Sequence, residues 1–187
     1  EVEDLEKDLT FVGMQFMIDP PRDEVKDSIV ECKQAGIGAK MITGDNLITA
    51  TAIAIELGMI EKGDKTHEGK DIENMSNDEI LACNVYARVS PEHKQLIVKA
   101  LQAKNEVVAM TGDGINDGPA LKASDIGIAM GRTGTDVARE VADVILEKDN
   151  LETLVNALRD GRTIYINIRK SVHFFLATNF SEIMVMA

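Results

Sequence analysis

Apolar positions recur along the chain with two different periods, and their alternation predicts strands and helices in turn. Leu9 to Ile18 is a β-prone run closed by Asp19-Pro20-Pro21, where two prolines lack the amide that a ladder or helix needs. From Arg22 to Ala35 the spacing becomes helical, with Val25, Ile29 and Cys32 on one face and Gly36 as the stop. Ala39 to Ile42 predicts a short strand, and beyond Thr43-Gly44-Asp45-Asn46 the stripe Ala50, Ile53, Ala54, Leu57 predicts a helix ending at Gly58. Glu61 to Ser76 is polar and without period, which predicts a surface loop before a short helix at Asn77 to Ala82. Val85 to Val89 follows as a strand. Ser90 as N-cap and Pro91 at the first helical position open a helix with Leu96, Ile97, Ala100 and Leu101 towards the core. Val107 to Met110, an unbroken apolar run, suits a strand buried on both faces. A strand at Ile126 to Met130, a helix start at Gly134-Thr135-Asp136 and a strand at Val144 to Leu146 complete the series. The alternation predicts an α/β fold with a mostly parallel sheet. From Asp149-Asn150-Leu151-Glu152, a capping-box-like start, only Gly161 interrupts a helical pattern to Ala187.

Composition narrows the partners. The 187 residues are 44% hydrophobic, enough for one sizeable domain with a core or one domain and an appendage. A net charge of −12 would repel a nucleic-acid backbone, so nucleic acid is excluded as an expected partner. Cys32 and Cys83 stand in unlike contexts without Cys-x-x-Cys spacing, which points to neither a disulfide framework nor a zinc site. The acidic start, Glu1-Val2-Glu3-Asp4, is unlike a signal peptide and reads as a piece of a longer chain.

Candidate chemistry gathers where strands end. At Thr111-Gly112-Asp113-Gly114-Ile115-Asn116-Asp117 an apolar strand runs into a glycine-spaced cluster of carboxylates and an amide, at the carboxyl edge where open α/β sheets bind ligands. Asp113 and Asp117 offer hard oxygens to a Mg²⁺ that keeps its waters and also binds phosphate, and Asn116 can donate to a phosphoryl oxygen. Thr43-Gly44-Asp45 stands at a strand-to-helix turn whose amides would suit an anion; taken alone, N-capping by Asp45 or Asn46 explains it as well, but the repeat of Thr-Gly-Asp at Thr111 favours the anion. Lys94, in the first turn of its helix, opposes the helix dipole, which fits a lysine held to meet a phosphate. His93 beside it reads as a surface residue. In the tail, Arg159, Arg162, Arg169 and Lys170 precede the apolar stretch from Ser171, as in the cytosolic flank of a membrane helix, although seventeen residues fall short of the roughly 20 that span a bilayer.

These motifs resemble one family. Met41-Ile42-Thr43-Gly44-Asp45, Ala87-Arg88-Val89-Ser90-Pro91-Glu92-His93-Lys94 and Thr111-Gly112-Asp113-Gly114-Ile115-Asn116-Asp117-Gly118-Pro119-Ala120-Leu121, in that order, closely resemble the phosphorylation domain of P-type cation-transporting ATPases of the calcium-pump type, within the haloacid-dehalogenase-like superfamily. Gly118 departs from the family's usual alanine. The resemblance implies a Rossmann-like parallel sheet with helices on both faces and a long final helix. It divides the chain into residues 1–21, a strand returning from a nucleotide-binding domain and a hinge; 22–150, the phosphorylation domain; and 151–187, a stalk and the first part of a transmembrane helix. It implies an ATPase using ATP and Mg²⁺, a membrane-embedded parent with most of this chain on the cytosolic side, and further pump domains as partners. Thr43 and Gly44 would hold phosphoryl oxygens, Asp45 would lie near the ATP phosphates, Arg88 near the ribose, and Lys94 would neutralise developing charge. Asp113 would ligate Mg²⁺, with Asn116 and Asp117 fixing its waters, the phosphate and the loop. Asn179 and Glu182 match positions that coordinate the transported ion in calcium pumps, and a carboxylate in lipid is better explained by function than by chance. The family's nucleophile lies in an Asp-Lys-Thr-Gly-Thr sequence that this chain does not contain. Its strand would belong between those ending at Thr43 and Asp113, so the sheet is expected to lack a central member. A soluble phosphatase of the same superfamily, or a non-catalytic fragment, would carry the same loops.

Overall fold

The computed structural model describes residues 10–15 and 20–186. Helix α1 (Asp23–Gln34) buries Ser28, Ile29 and Cys32 and is stopped by Gly36, whose φ of +74° is the left-handed conformation that glycine takes without cost. Strand β1 (Met41–Ile42) leads through the Thr43–Asp45 turn into α2 (Leu47–Glu56), capped by the Asn46 side chain accepting from the Thr49 amide. Of the expected strand at Leu9 to Ile18, Thr10 to Gln15 form no ladder and are exposed, and the rest lies outside the described residues.

The polar stretch expected to be a loop holds two elements. His67–Glu68 form strand β2 and Gly69–Ile72 a one-turn helix α3, with Ile72 buried. Elements this short cannot show a period in sequence. Helix α4 (Asn77–Ala82) has a complete Ser76–Glu79 capping box, and β3 (Val85–Ala87) is buried on all three residues. Helix α5 (Pro91–Gln102) starts as expected, but its buried face is Ile97, Val98, Ala100 and Leu101. Leu96, expected in the core, is 42% exposed, because the helix presents Val98 to the interior instead.

Strand β4 (Ala109–Gly112) begins two residues later than the apolar run, and only Met110 is buried. Ala109 and Thr111 are exposed, so the expectation of burial on both faces is corrected: β4 is an edge strand with one covered face. A single 3₁₀ turn (Ile115–Asp117) passes into α6 (Gly118–Ala123), followed by β5 (Ile126–Met130), α7 (Asp136–Val141) with its Thr135 cap, β6 (Val144–Leu146) and α8 (Leu151–Met186).

The described strands form two parallel sheets, in orders β1-β3-β2 and β4-β5-β6. β1 and β4 therefore each keep one edge without a ladder partner. Ile42 of β1 packs both against the core around Tyr86 and Ile97 and against the core around Met110, Leu121 and Ala129, which brings the two edge strands to one seam. Tyr86, Ile97, Leu121 and Ile128 are almost wholly enclosed, and burial of each contributes about 1.5–3 kcal/mol. The Tyr86 hydroxyl donates to the Ile80 carbonyl at 2.7 Å, so its one polar atom is satisfied inside the core.

Candidate active site

Both Thr-Gly-Asp sequences stand at the carboxyl ends of the seam strands. After β1, the Thr43 amide donates to the Tyr86 carbonyl and the Asp45 amide to the Thr43 Oγ1 at 3.1 Å, which turns the chain towards α2. Gly44 and Asp45 are exposed at the tip. From β3 the Arg88 amide donates to the Asp45 carbonyl at 2.9 Å and the Val89 amide to the Thr43 carbonyl at 3.1 Å, so the turn is stitched to its neighbour.

Asp117 organises the second loop. Its Oδ2 accepts from the amides of Asp113 and Gly114, each at 3.2 Å, and its Oδ1 meets Lys94 Nζ at 2.5 Å. Gly112 makes room for this closure: a Cβ there would lie 2.5 Å from the Asp117 Cβ. The ion pair is largely enclosed, with side-chain exposures of 16% for Lys94 and 9% for Asp117, and it joins α5 of the first sheet to the loop of the second. Charges this poorly hydrated interact strongly with each other and with any ligand charge beside them. The Asp113 carbonyl accepts from the Thr135 amide at 2.8 Å, while Asp113 and Asn116 are exposed.

Arg88 has φ +49°, a left-handed conformation uncommon for a residue with a side chain, and its guanidinium lies at the same edge with Nη1 3.6 Å from Glu68 Oε1. His93, expected on the surface, is a partly buried structural residue. Its Nδ1 accepts from the Ser90 amide and its Nε2 lies 3.6 Å from Glu73.

The structure thus brings Thr43, Gly44, Asp45, Arg88, Lys94, Asp113, Asn116 and Asp117 to one edge. Asn179 and Glu182 stand elsewhere, three residues apart and exposed, about 40 Å along α8 from its first turn. Sequence reasoning missed Glu68, for which Asp71 at capping-box spacing was the available signal. It also missed the support of Asp113 by the loop after β5, where Gly134 fits so closely that a Cβ would clash with the Met130 carbonyl oxygen. Asp149 holds that loop by accepting from the Arg132 and Thr133 amides, and the Arg132 amide foremost keeps its carboxyl below the ordinary aspartate range.

Among the described residues no three His, Cys, Asp or Glu side chains gather into a cage for a metal ion. One exposed carboxylate next to a second that is tied into the loop is a donor set that fits Mg²⁺, which keeps several waters and binds through one or two carboxylates together with substrate phosphate. No described helix is long and apolar enough to cross a membrane.

Parallel strands flanked by helices, with Thr-Gly-Asp loops and a buried Lys–Asp pair at their carboxyl edge, define the chain's class: it belongs to the haloacid dehalogenase-like hydrolase family, whose model matches residues 2–125. Among its relatives, a calcium-transporting ATPase 1 of Bacillus cereus is 53% identical over 190 aligned positions, covering 100% of this chain and 21% of the relative. The human calcium-transporting ATPase type 2C member 1 is 44% identical over 183 positions, covering 96% of this chain and 20% of the relative. Among solved structures, a zinc-transporting PIB-type ATPase in the E2.Pi state matches 81% of this chain and 21% of that one, with a TM-score of 0.63 and 37% identity. The chain spans about a fifth of the length of these relatives.

Proposed function

We propose that this chain is part of an ATP-driven cation pump that works through an aspartyl phosphate and transports Ca²⁺. The observation that carries the reading is the seam: two edge strands end in matching Thr-Gly-Asp loops, and the Lys94–Asp117 pair bridges the sheets beside them. Residues 22–150 form the phosphorylation domain, residues 1–21 the return from a nucleotide-binding domain, and residues 151–187 the stalk and the start of a membrane helix on the cytosolic side. The unpaired edges of β1 and β4 support placing the strand that carries the nucleophilic aspartate between them. No Asp-Lys-Thr-Gly-Thr occurs in these 187 residues, so the nucleophile comes from outside them.

Within the site, Thr43 and the Gly44 amide bind phosphoryl oxygens; the Thr43 Oγ1 already accepts from Asp45, which leaves its own hydrogen free to donate. Asp45 lies towards the ATP phosphates and Arg88 towards the ribose. Lys94 sets a positive charge where negative charge develops, and Asp117 holds that ammonium in place. Asp113, with Asn116 and Asp117 at its loop, holds Mg²⁺, which when bound neutralises phosphoryl charge. This is catalysis by fixed electrostatics and positioning. Ca²⁺ as the transported ion rests on Asn179 and Glu182 on one face of α8 and on the printed names of the relatives. The exposed Phe174, Phe175, Leu176 and Phe180 argue for a membrane partner and against a soluble phosphatase.

Labelling the full-length ATPase with γ-phosphate-labelled ATP tests the reading. Asp113→Asn removes a metal ligand and its charge and is expected to abolish the acid-stable phosphoenzyme; undiminished labelling would remove Asp113 from the metal site. Glu182→Gln is expected to weaken Ca²⁺ activation while phosphorylation from inorganic phosphate persists, and an unchanged Ca²⁺ dependence would leave Glu182 a surface residue.

A further inference from the structure

Glu68 belongs to none of the motifs at the site, yet it stands against the most strained residue there. Arg88 terminates β3 in a left-handed conformation, its amide is fixed to the Asp45 carbonyl, and its side chain is 64% exposed at the edge where the Thr-Gly-Asp loops open. A long cationic side chain so exposed would sample many rotamers, and holding one of them before a ligand arrives lowers the entropy cost of binding. The group placed to do this is Glu68. Its carboxylate is 16% exposed and meets Arg88 Nη1 at 3.6 Å through Oε1 and Lys70 Nζ at 2.6 Å through Oε2.

The carboxylate is itself rigidly held. Glu68 pairs with Ala87 in the β2–β3 ladder, and its amide donates to Asp71 Oδ2 at 3.1 Å. Gly69 is pressed against the Arg88 backbone so closely that a Cβ would lie 2.5 Å from the Arg88 carbonyl oxygen. β2 and α3 therefore form a buttress that meets the Arg88 guanidinium through the Glu68 carboxylate.

We infer that Glu68 is a positioning residue: it orients the Arg88 guanidinium towards the nucleotide, with Lys70 held beside it as a second cation at the same edge. The inference rests on the pump reading above, in which ATP is the ligand. An exposed pair of this kind contributes about 0.2–1 kcal/mol, so its loss corresponds to roughly a 1.4- to five-fold change in apparent affinity, not to loss of chemistry.

The test is steady-state ATP hydrolysis by the full-length ATPase with Mg·ATP as the varied substrate. Glu68→Gln keeps the length and shape of the side chain and removes the charge. It is expected to raise KM for ATP roughly 1.4- to five-fold with a much smaller change in kcat, and to add nothing further when Arg88→Met is already present. An unchanged KM, or an equal rise on the Arg88→Met background, would overturn the assignment, since Glu68 would then act by some other route. Should Glu68→Gln melt below the assay temperature, Glu68→Asp replaces it: aspartate keeps the charge but falls short of Arg88, and it must give the same KM rise and the same dependence on Arg88. If the wild-type protein does not turn over ATP at all, the pump reading fails; turnover with an indifferent Glu68 refutes only the positioning role.

Discussion

Asp117 shows how one residue can be legible in sequence while its work is not. Its place in the Thr-Gly-Asp-Gly-Ile-Asn-Asp sequence marks it as part of an acidic loop, but the partner of its Oδ1 comes from the first turn of α5, twenty-three positions earlier. No local pattern announces such a contact, whereas the odd placement of a lysine against the helix dipole hinted that Lys94 had a charge to meet. Because both groups are largely enclosed, Lys94→Met leaves a carboxylate without its partner and is expected to cost about 3 kcal/mol in urea unfolding. Adding Asp117→Asn should recover part of that loss, since the orphaned charge is gone. A single variant within 0.5 kcal/mol of wild type would place the pair in solvent rather than in the fold.

Asp149 makes a prediction of a different kind. The Arg132 amide, and after it the side chain and amide of Thr133, stabilise its ionised form and depress its pKa. A depressed carboxylate contributes stability that is present above its unfolded pKa and is lost as pH falls through the lower folded one. The Arg132 and Thr133 amide resonances should therefore move together with a midpoint below the ordinary aspartate value, and Asp149→Asn should remove that transition. A midpoint at or above the ordinary value would contradict the hydrogen bonds.

Among the elements, those with several turns or a flanking cap were readable: α2 from its small apolar stripe, α5 from Ser90-Pro91, α7 from Thr135. β2 and α3 were not, because a two-residue strand and a one-turn helix have no period, and their stability comes from pairing with β3 and packing against α5. Burial of β4 was overread for a related reason. An apolar run says that a strand can be covered on both faces, and among the described residues only the Met110 side of β4 is, with Val107 and Ala109 exposed. Two glycines test how elements constrain the site. Gly134→Ala would drive a Cβ into the Met130 carbonyl and should displace the loop that supports Asp113, lowering Tm by several degrees. Gly161→Ala lies mid-helix in α8 with nothing within 4 Å and should instead stabilise by about 0.5–1 kcal/mol. Equal effects from the two would contradict the packing described here.

On the scale of the molecule, the sequence suggested a parallel α/β sheet lacking a central member, and the described strands do form two parallel sheets with an unpaired edge on each side of a seam. Open edges pair with whatever strand is available. The isolated 187-residue chain, which also exposes an apolar α8, is therefore expected to sediment as dimers or larger species at micromolar concentration. A sharp monomer over that range would mean that the edges are covered. How the seam is filled in the whole protein is the central question, and the site of the proposed phosphorylation can answer it. We expect that trapping the phosphoenzyme of the full-length ATPase with borohydride and mapping the reduced residue by mass spectrometry will place it in an Asp-Lys-Thr-Gly-Thr sequence outside this chain. A label on Asp45, Asp113 or Asp117 would contradict the account, because a residue described here as positioning the phosphate would then be its acceptor.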